Sequence, residues 1–518
     1  MSLPKGGFRI AALVLLAGLL ATNVYRAATQ SIAHDEALTW QVYLSGPAST
    51  MFHYYDANNH FLATVLFRIS TTLFGNSELA MRLPTLLAGA WFFWTVFRLC
   101  ALVLGDGWLF LVGCAALTLN PILLDFLVAA RGYGLAIAGL FWALYQMLTW
   151  FNERGTVPDV QLRKRLWKAA FGCSIAVAAN LTLLMPAFVV AVAFCIMLRA
   201  AGKPTGVPAP ASAGSAKTRK KSKKSKPEAL REPARSYAPL LNFIVPTAAC
   251  AVLFLLAAPI DLARSQDFYV GMPSAIKSWR NLMEVSFAYA GSGVLGPMER
   301  ISRNIALVLV PALVLAALAV AFTAVKEPSL VQLATLLSSL AVAGSAVLLA
   351  LAHVMSGLPF PQDRTGLYFV PLATLAALGL ARMLTGRSGY QQWLGIAAGA
   401  VLACCAIEFA LQWNVRSFWV WRYDADTKRI FEALEAAPKP PGPIHLGVSW
   451  VLEPALNYYR EVRKAAWLLP VERDGFDGSR QFYVAIREDQ RTRRWRKSKV
   501  IYQGPVSGTA LAIPPRTP

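Results

Sequence analysis

Acidic residues are scarce in this chain: 28 Asp and Glu stand against 50 Lys and Arg, and charged residues make up only 15% of the 518. Together with 56% hydrophobic residues and a mean hydropathy of +0.46, that scarcity excludes an ordinary soluble protein, whose apolar segments are shorter and amphipathic. No Gly-rich loop of the nucleotide-binding kind occurs, which argues against chemistry driven by ATP or by a soluble nucleotide donor. Cysteine is sparse as well. The seven lie at 100, 114, 173, 195, 250, 404 and 405, within apolar runs or at their edges, so disulfides do not hold the polar segments. No spacing fits a zinc site.

What fills the chain is membrane-length apolar sequence. RIAALVLLAGLLATNVYRAA at 9–28 is long enough to span a bilayer as a helix. About eleven such spans are expected, near 9–28, 80–103, 108–121, 131–150, 168–184, 186–200, 239–258, 303–324, 329–352, 366–385 and 392–412. The third and sixth are short enough to be kinked or re-entrant. Lys5 and Arg9 ahead of the first span place the N-terminus in the cytoplasm. The basic stretches 152–168 and 201–237 then fall on the same side. The segments 29–79, 260–302, 353–365 and everything after 412 fall outside the inner (plasma) membrane, in the periplasm or beyond. The net charge of +22 therefore reads as a topology signal facing membrane lipids rather than as a nucleic-acid footprint. KTRKKSKKSK at 217–226 belongs to a Lys-, Ser- and Pro-rich stretch too polar to fold, so 201–237 is expected to be a disordered cytoplasmic loop.

After 412 the pattern changes. RYDADTKRIFEALEAA and LEPALNYYREV have helical periodicity, and PIHLGVSW, QFYVAIRE, KVIYQG and TALAIPP look like short strands. The chain thus divides into a membrane domain, 1–412, and a small C-terminal extracytoplasmic α/β domain, 413–518. Trp450, Tyr458 and Tyr459 are expected in its core or interface rather than on a carbohydrate-binding surface.

The polar residues with chemical potential sit in few places. HDEALTW at 34–40, just past the first span, sets Asp35 beside Glu36, an expensive pairing at a membrane surface unless it has work to do. Arg82, Arg131, Arg303 and Arg364 each lie near the expected outer start of a span. There the helix N-terminus already favours an anion, so several converging arginines would clamp a phosphate. All five histidines, 34, 53, 60, 353 and 445, also fall outside. Within YYDANNH at 54–60, Asp56, Asn58, Asn59 and His60 are suited to binding a hydroxyl-rich substrate or bracing the loop. A divalent cation on these side chains stays an alternative, although the spacing matches no standard site; no other cofactor is implied.

These features resemble the GT-C membrane glycosyltransferases, in the branch of protein O-mannosyltransferases and aminoarabinose transferases with their bacterial relatives. The resemblance is carried by Asp35–Glu36, by YYDANNH, by RLPTLLAG at 82–89, by NPILLDFLVAARGYGLAI at 120–137 and by DRTGLYFVPL at 363–372. It implies transfer of a sugar from a polyprenyl-phosphate carrier to a hydroxyl on a glycan, lipid or protein acceptor of the cell envelope. Asp35 matches the family's first-loop aspartate and would act as base, with Glu36 orienting the acceptor or sharing charge. Arg82, Arg131, Arg303 and Arg364 would hold phosphate or headgroup, and His34, Tyr55, Asp56, Asn58, Asn59 and His60 would line the substrate site. The short terminal domain and the number of spans depart from several relatives and leave the acceptor open. The rival from another class is a non-catalytic transporter or flippase of a lipid-linked sugar using the same arginines.

Overall fold

A computed structural model describes residues 6–201, 237–262, 271–287, 296–323, 328–473, 480–492 and 495–514. The expected loop 201–237 lies almost wholly outside these residues. Among them, nine helices are long and apolar enough to cross a membrane: Gly7–Thr29, Glu78–Leu104, Tyr133–Glu153, Leu181–Ala200, Ala238–Ala257, Pro297–Phe322, Leu330–Ser356, Asp363–Thr385 and Tyr390–Leu411. Their outward faces are apolar. Leu256 and Val354 leave 80% and 83% of their surface uncovered, a cost in water that vanishes in hydrocarbon.

Two of the eleven expected spans take other forms. Trp108–Thr118 has 11 residues and reaches only about 16 Å at 1.5 Å per residue, roughly half the hydrocarbon thickness. Asn120 then starts a second short helix, Pro121–Phe126, its Oδ1 accepting from Leu123 N–H at 3.1 Å. The other, Asp159–Ala179, carries Arg163, Lys164, Arg165 and Lys168 in its first half. It packs on Tyr133–Glu153 where two glycines meet: a Cβ on Gly139 would lie 2.8 Å from the Gly172 carbonyl, and one on Gly172 2.7 Å from that of Gly139. That crossing holds the most buried of the long helices in the middle of the bundle.

The expected loop 29–79 contains an apolar helix, Phe61–Phe74, and an amphipathic helix, Ala275–Phe287, lies in 260–302. Beyond the last long helix, β1 (Leu446–Val448), β2 (Phe482–Ala485), β3 (Lys499–Gln503) and β4 (Ala510–Ile513) form a sheet in the order β1-β2-β4-β3. β1 and β2 are parallel and the other pairs antiparallel. Helices Thr427–Ala436 and Glu453–Val462 accompany the sheet. Every helix and strand anticipated in this part of the sequence is present.

The sheet domain is bonded into the loop that follows the first helix. Ser31 Oγ donates to the Ala425 carbonyl at 3.0 Å and accepts from Lys428 N–H at 3.1 Å. Ile32 N–H donates to the Tyr459 hydroxyl at 2.9 Å, which itself donates to Glu78 at 3.0 Å. His34 N–H donates to Asp424 at 2.7 Å. Tyr458 and Tyr459 are buried in this contact, whereas Trp450 is 56% exposed. At the adjoining linker Arg26 is ion-paired with Asp125, whose other oxygen accepts from Trp419 N–H at 2.8 Å.

Candidate active site

Asp35 and Glu36 open the short helix His34–Thr39. Adjacent residues on a helix point about 100° apart, and these two face different partners. Glu36 is fully buried. It accepts from Arg82 Nε at 2.9 Å and Nη2 at 2.6 Å, and from the backbone N–H groups of Ala33 at 2.9 Å and Ala130 at 2.6 Å. Arg82 spends its remaining donors on the carbonyls of Ala27, Gln30 and Ser31 at 3.2, 2.8 and 2.7 Å. The expected catalytic share of Glu36 and phosphate role of Arg82 are therefore corrected: both side chains are saturated, and what they do is fix the loop around residue 35.

Asp35 faces the other way. Its Oδ2 lies 2.9 Å from Arg364 Nη2 and 3.6 Å from Arg131 Nη2. Burial pushes the carboxyl up, but Arg364, Arg131 and His34 outweigh it and hold it at about 2. Arg131 also donates to Asn58 Oδ1 at 2.9 Å, Thr39 Oγ1 at 3.2 Å and the Ala57 carbonyl at 3.3 Å. Arg364 sits 5.7 Å from the Trp421 ring centroid. Its neighbour Asp363 has φ 46°, a left-handed conformation costly for a non-glycine residue. Asn281 holds that conformation, accepting from Asp363 N–H at 2.6 Å and donating to its Oδ1 at 2.8 Å.

A cavity of about 370 Å³ opens beside this charged centre. Arg131, Arg364, Tyr55, Asp56, Asn59 and His60 line its polar part, and Leu184, Met185, Leu349 and Phe360 an apolar part. Asp56 accepts from Tyr43 Oη at 2.7 Å, Asn58 N–H at 2.9 Å and Asn59 N–H at 3.0 Å, so it braces the turn. Asn58 is engaged by Arg131. His60 is buried, with its ring edge-on to Tyr133 at 5.2 Å. Burial and the two arginines push its pKa well down, so the imidazole is neutral.

Two further residues expected at the site do not line this cavity. Arg303 is not brought to this centre; it faces Glu284 at 4.0 Å and Asn304 at 3.3 Å on the surface. His34 is held by the sheet domain, its Nδ1 2.6 Å from the Val451 carbonyl and its ring edge-on to Trp450. Among the described residues, no group of three or more His, Cys, Asp or Glu is arranged to hold a metal ion. Sequence reading missed Asn180, Tyr133 and Trp421. The first carried a signal: an amide interrupting the apolar run AVAANLTLLMP is costly in a membrane without a task.

No family model and no curated protein sequence matches the chain. Among solved structures it is similar to ArnT, an aminoarabinose transferase from Cupriavidus metallidurans, bound to undecaprenyl phosphate, with 14% identity over 96% of this chain and 97% of that one, and a TM-score of 0.48. It is also similar to the archaeal oligosaccharyltransferase AglB from Archaeoglobus fulgidus, in complex with an inhibitory peptide and a dolichol-phosphate, at 10% identity over 98% and 74% of the two chains and a TM-score of 0.41. The arabinofuranosyltransferase AftD from Mycobacteria gives 15% identity over 99% and 42%, with a TM-score of 0.41. These likenesses are distant in sequence and in superposition, so function has to be read from this chain's own residues.

Proposed function

We propose that the protein is an inverting glycosyltransferase that moves a sugar from a polyprenyl-phosphate carrier to a hydroxyl-bearing acceptor of the cell envelope, on the outer face of the membrane. The observation that carries this reading is the convergence on the one carboxylate Asp35 of Arg131 and Arg364, far apart in sequence, which both line a cavity with a polar and an apolar part. A phosphate with an apolar tail fits that division. When the carrier's phosphate takes over the two guanidinium groups, Asp35 loses the partners that hold its pKa down and becomes a competent base. The acceptor oxygen attacks the anomeric carbon, its proton passes to Asp35, and the bond from that carbon to the phosphate oxygen breaks with its electron pair. The arginines stabilise the charge that leaves. A single displacement of this kind inverts the anomeric carbon.

Incubation of the purified protein with radiolabelled polyprenyl-phosphate sugars and candidate acceptors tests this directly; label that never leaves the carrier, across neutral and amino sugars, overturns it. Carrier binding separates the arginines' roles. Arg131→Ala or Arg364→Ala should weaken binding of bare polyprenyl phosphate by about 1.5–3 kcal/mol, the range for charge-assisted hydrogen bonds. Lys at either position should restore only part, since a point charge does not reproduce a bidentate fork. Unchanged affinity in both Ala variants removes the phosphate clamp.

Orientation has its own check. A reporter active only outside the cytoplasm should work when fused after residue 412 and stay silent when inserted near 220; the reverse pattern inverts the topology. The pH profile follows from the ion pairs. A carboxylate held at about 2 in the free protein stays ionised through the ordinary carboxylate range, so kcat/KM should show no acid limb between pH 7 and pH 4. The acid limb of kcat, which reports the carrier-bound state, should lie at higher pH. The same sign governs stability: the contribution of Asp35 is present above the ordinary carboxylate pKa and is lost as pH falls toward 2.

A further inference from the structure

Besides Arg131 Nε, three buried polar atoms at the cavity have no hydrogen-bond partner among the described residues: Asn180 Nδ2, His60 Nε2 and Asn59 Oδ1. Their residues are 2%, 9% and 2% exposed, and all three line the cavity. A buried donor or acceptor left unmade is costly, so such a cluster calls for a ligand. The two amides are oriented by what their other ends do. Asn180 Oδ1 accepts from Thr182 N–H at 3.0 Å and Thr182 Oγ1 at 2.9 Å, which leaves its NH₂ as the free end. Asn59 Nδ2 donates to the carbonyls of Met51 and Tyr54 at 3.3 and 3.1 Å, which leaves its oxygen free. One fixed donor, one fixed acceptor and an imidazole nitrogen suit hydroxyl groups, each of which donates and accepts. Gly132 makes the arrangement possible: a Cβ there would lie 1.9 Å from the Ala179 carbonyl and 2.8 Å from His60 Cβ. Only glycine lets the Arg131 loop close on the residues around Asn180.

The charges at the cavity narrow the ligand further. Asp56 is consumed by the 56–60 turn and Tyr43. Asp35, released for the acceptor's proton when the phosphate takes its arginines, is not among the lining residues, and Asp363 is held by Asn281. No free carboxylate remains among the residues lining the cavity, whereas Arg131 and Arg364 both face it. With the carrier's phosphate on the two arginines, an ammonium group here would still find no free carboxylate of its own among the lining side chains, at low dielectric. His60, kept neutral by burial and those same arginines, offers it no charge either.

We infer that Asn180, His60 and Asn59 form the subsite for the transferred sugar, and that this sugar is an uncharged polyol rather than an amino sugar. The inference rests on the proposed transfer from a polyprenyl phosphate. The test uses the full-length protein with undecaprenyl phosphate alone, with undecaprenyl phosphates carrying neutral pentoses and hexoses, and with the amino-deoxy counterpart of each. The best neutral donor should bind at least tenfold tighter than its amino counterpart. Asn180→Leu should weaken that donor about tenfold, the scale of one hydrogen bond, while bare undecaprenyl phosphate binds as before. Asn180→Asp keeps an oxygen for Thr182 but sets a carboxylate at the subsite, and should shift the preference at least tenfold toward the amino donor. An unchanged ratio in Asn180→Asp, or a wild type that prefers amino donors, overturns the inference while the transfer reading stands. Failure of the wild type to bind any of these lipids, bare carrier included, overturns both.

Discussion

Asp35→Asn should lower sugar transfer by about 10²–10⁴-fold, the span attributed to a positioned general base, while the protein still folds and still binds bare carrier. The structure sharpens the second half of that expectation. Asp35 is paired with Arg364 at 2.9 Å and Arg131 at 3.6 Å, so in the proposed site it would compete with the carrier's phosphate, and the neutral amide should leave carrier affinity unchanged or raise it. A titration of polyprenyl phosphate against wild type and variant, run beside the transfer assay, reads both quantities. Near-normal turnover would remove Asp35 as the base. Weaker carrier binding would show that the carboxylate organises the arginines rather than competing for them.

The second large effect concerns folding. Glu36 and Arg82 form a fully buried pair with Nη2–Oε2 at 2.6 Å, and removing one partner of such a pair costs about 3–5 kcal/mol because the other charge is left stranded. Arg82→Leu should therefore sharply lower the yield of folded protein or its resistance to heat and protease. Glu36→Gln should follow the same course, although the transfer rate per folded molecule falls far less than in Asp35→Asn. Combining the two changes should not restore stability, since the carbonyls of Ala27, Gln30 and Ser31 would still lose their donor. Full stability in Arg82→Leu would contradict a structural role for the pair.

How much of this was legible from sequence depends on the length scale of the cause. Nine of the eleven expected spans and the strand and helix patterns after 412 recur in the structure, because span length and side-chain period are local and set by the chain itself. Phe61–Phe74 was missed for a related reason: its 14 residues are too few to signal a span. The site divides differently. Asp35–Glu36 was visible as a costly pair, but both carboxylates were set at the reaction, one as base and one beside the acceptor, since adjacency in sequence hides the rotation that sends one side chain to Arg364 and the other to Arg82. The four arginines share the same local setting near helix starts. Only the packing of the bundle separates Arg131 and Arg364, which converge, from Arg303, which faces Glu284. Asn180 acquires meaning only from the approach of Gly132, a contact that no local pattern announces.

The bonds between Ser31–His34 and the sheet domain carry a consequence in time. A chain emerges from the ribosome N-terminus first, at about 5–20 residues per second, so the loop bearing Asp35 is made among the earliest segments. Its hydrogen-bond partners Asp424, Ala425, Lys428 and Tyr459 are made among the last, some 390 residues or more later in the case of His34 and Asp424. The proposed reaction centre is thus a late product of biosynthesis. Nascent and prematurely ended chains would carry the membrane bundle with the Asp35 loop unbraced, and on the proposed function would be inert toward the carrier.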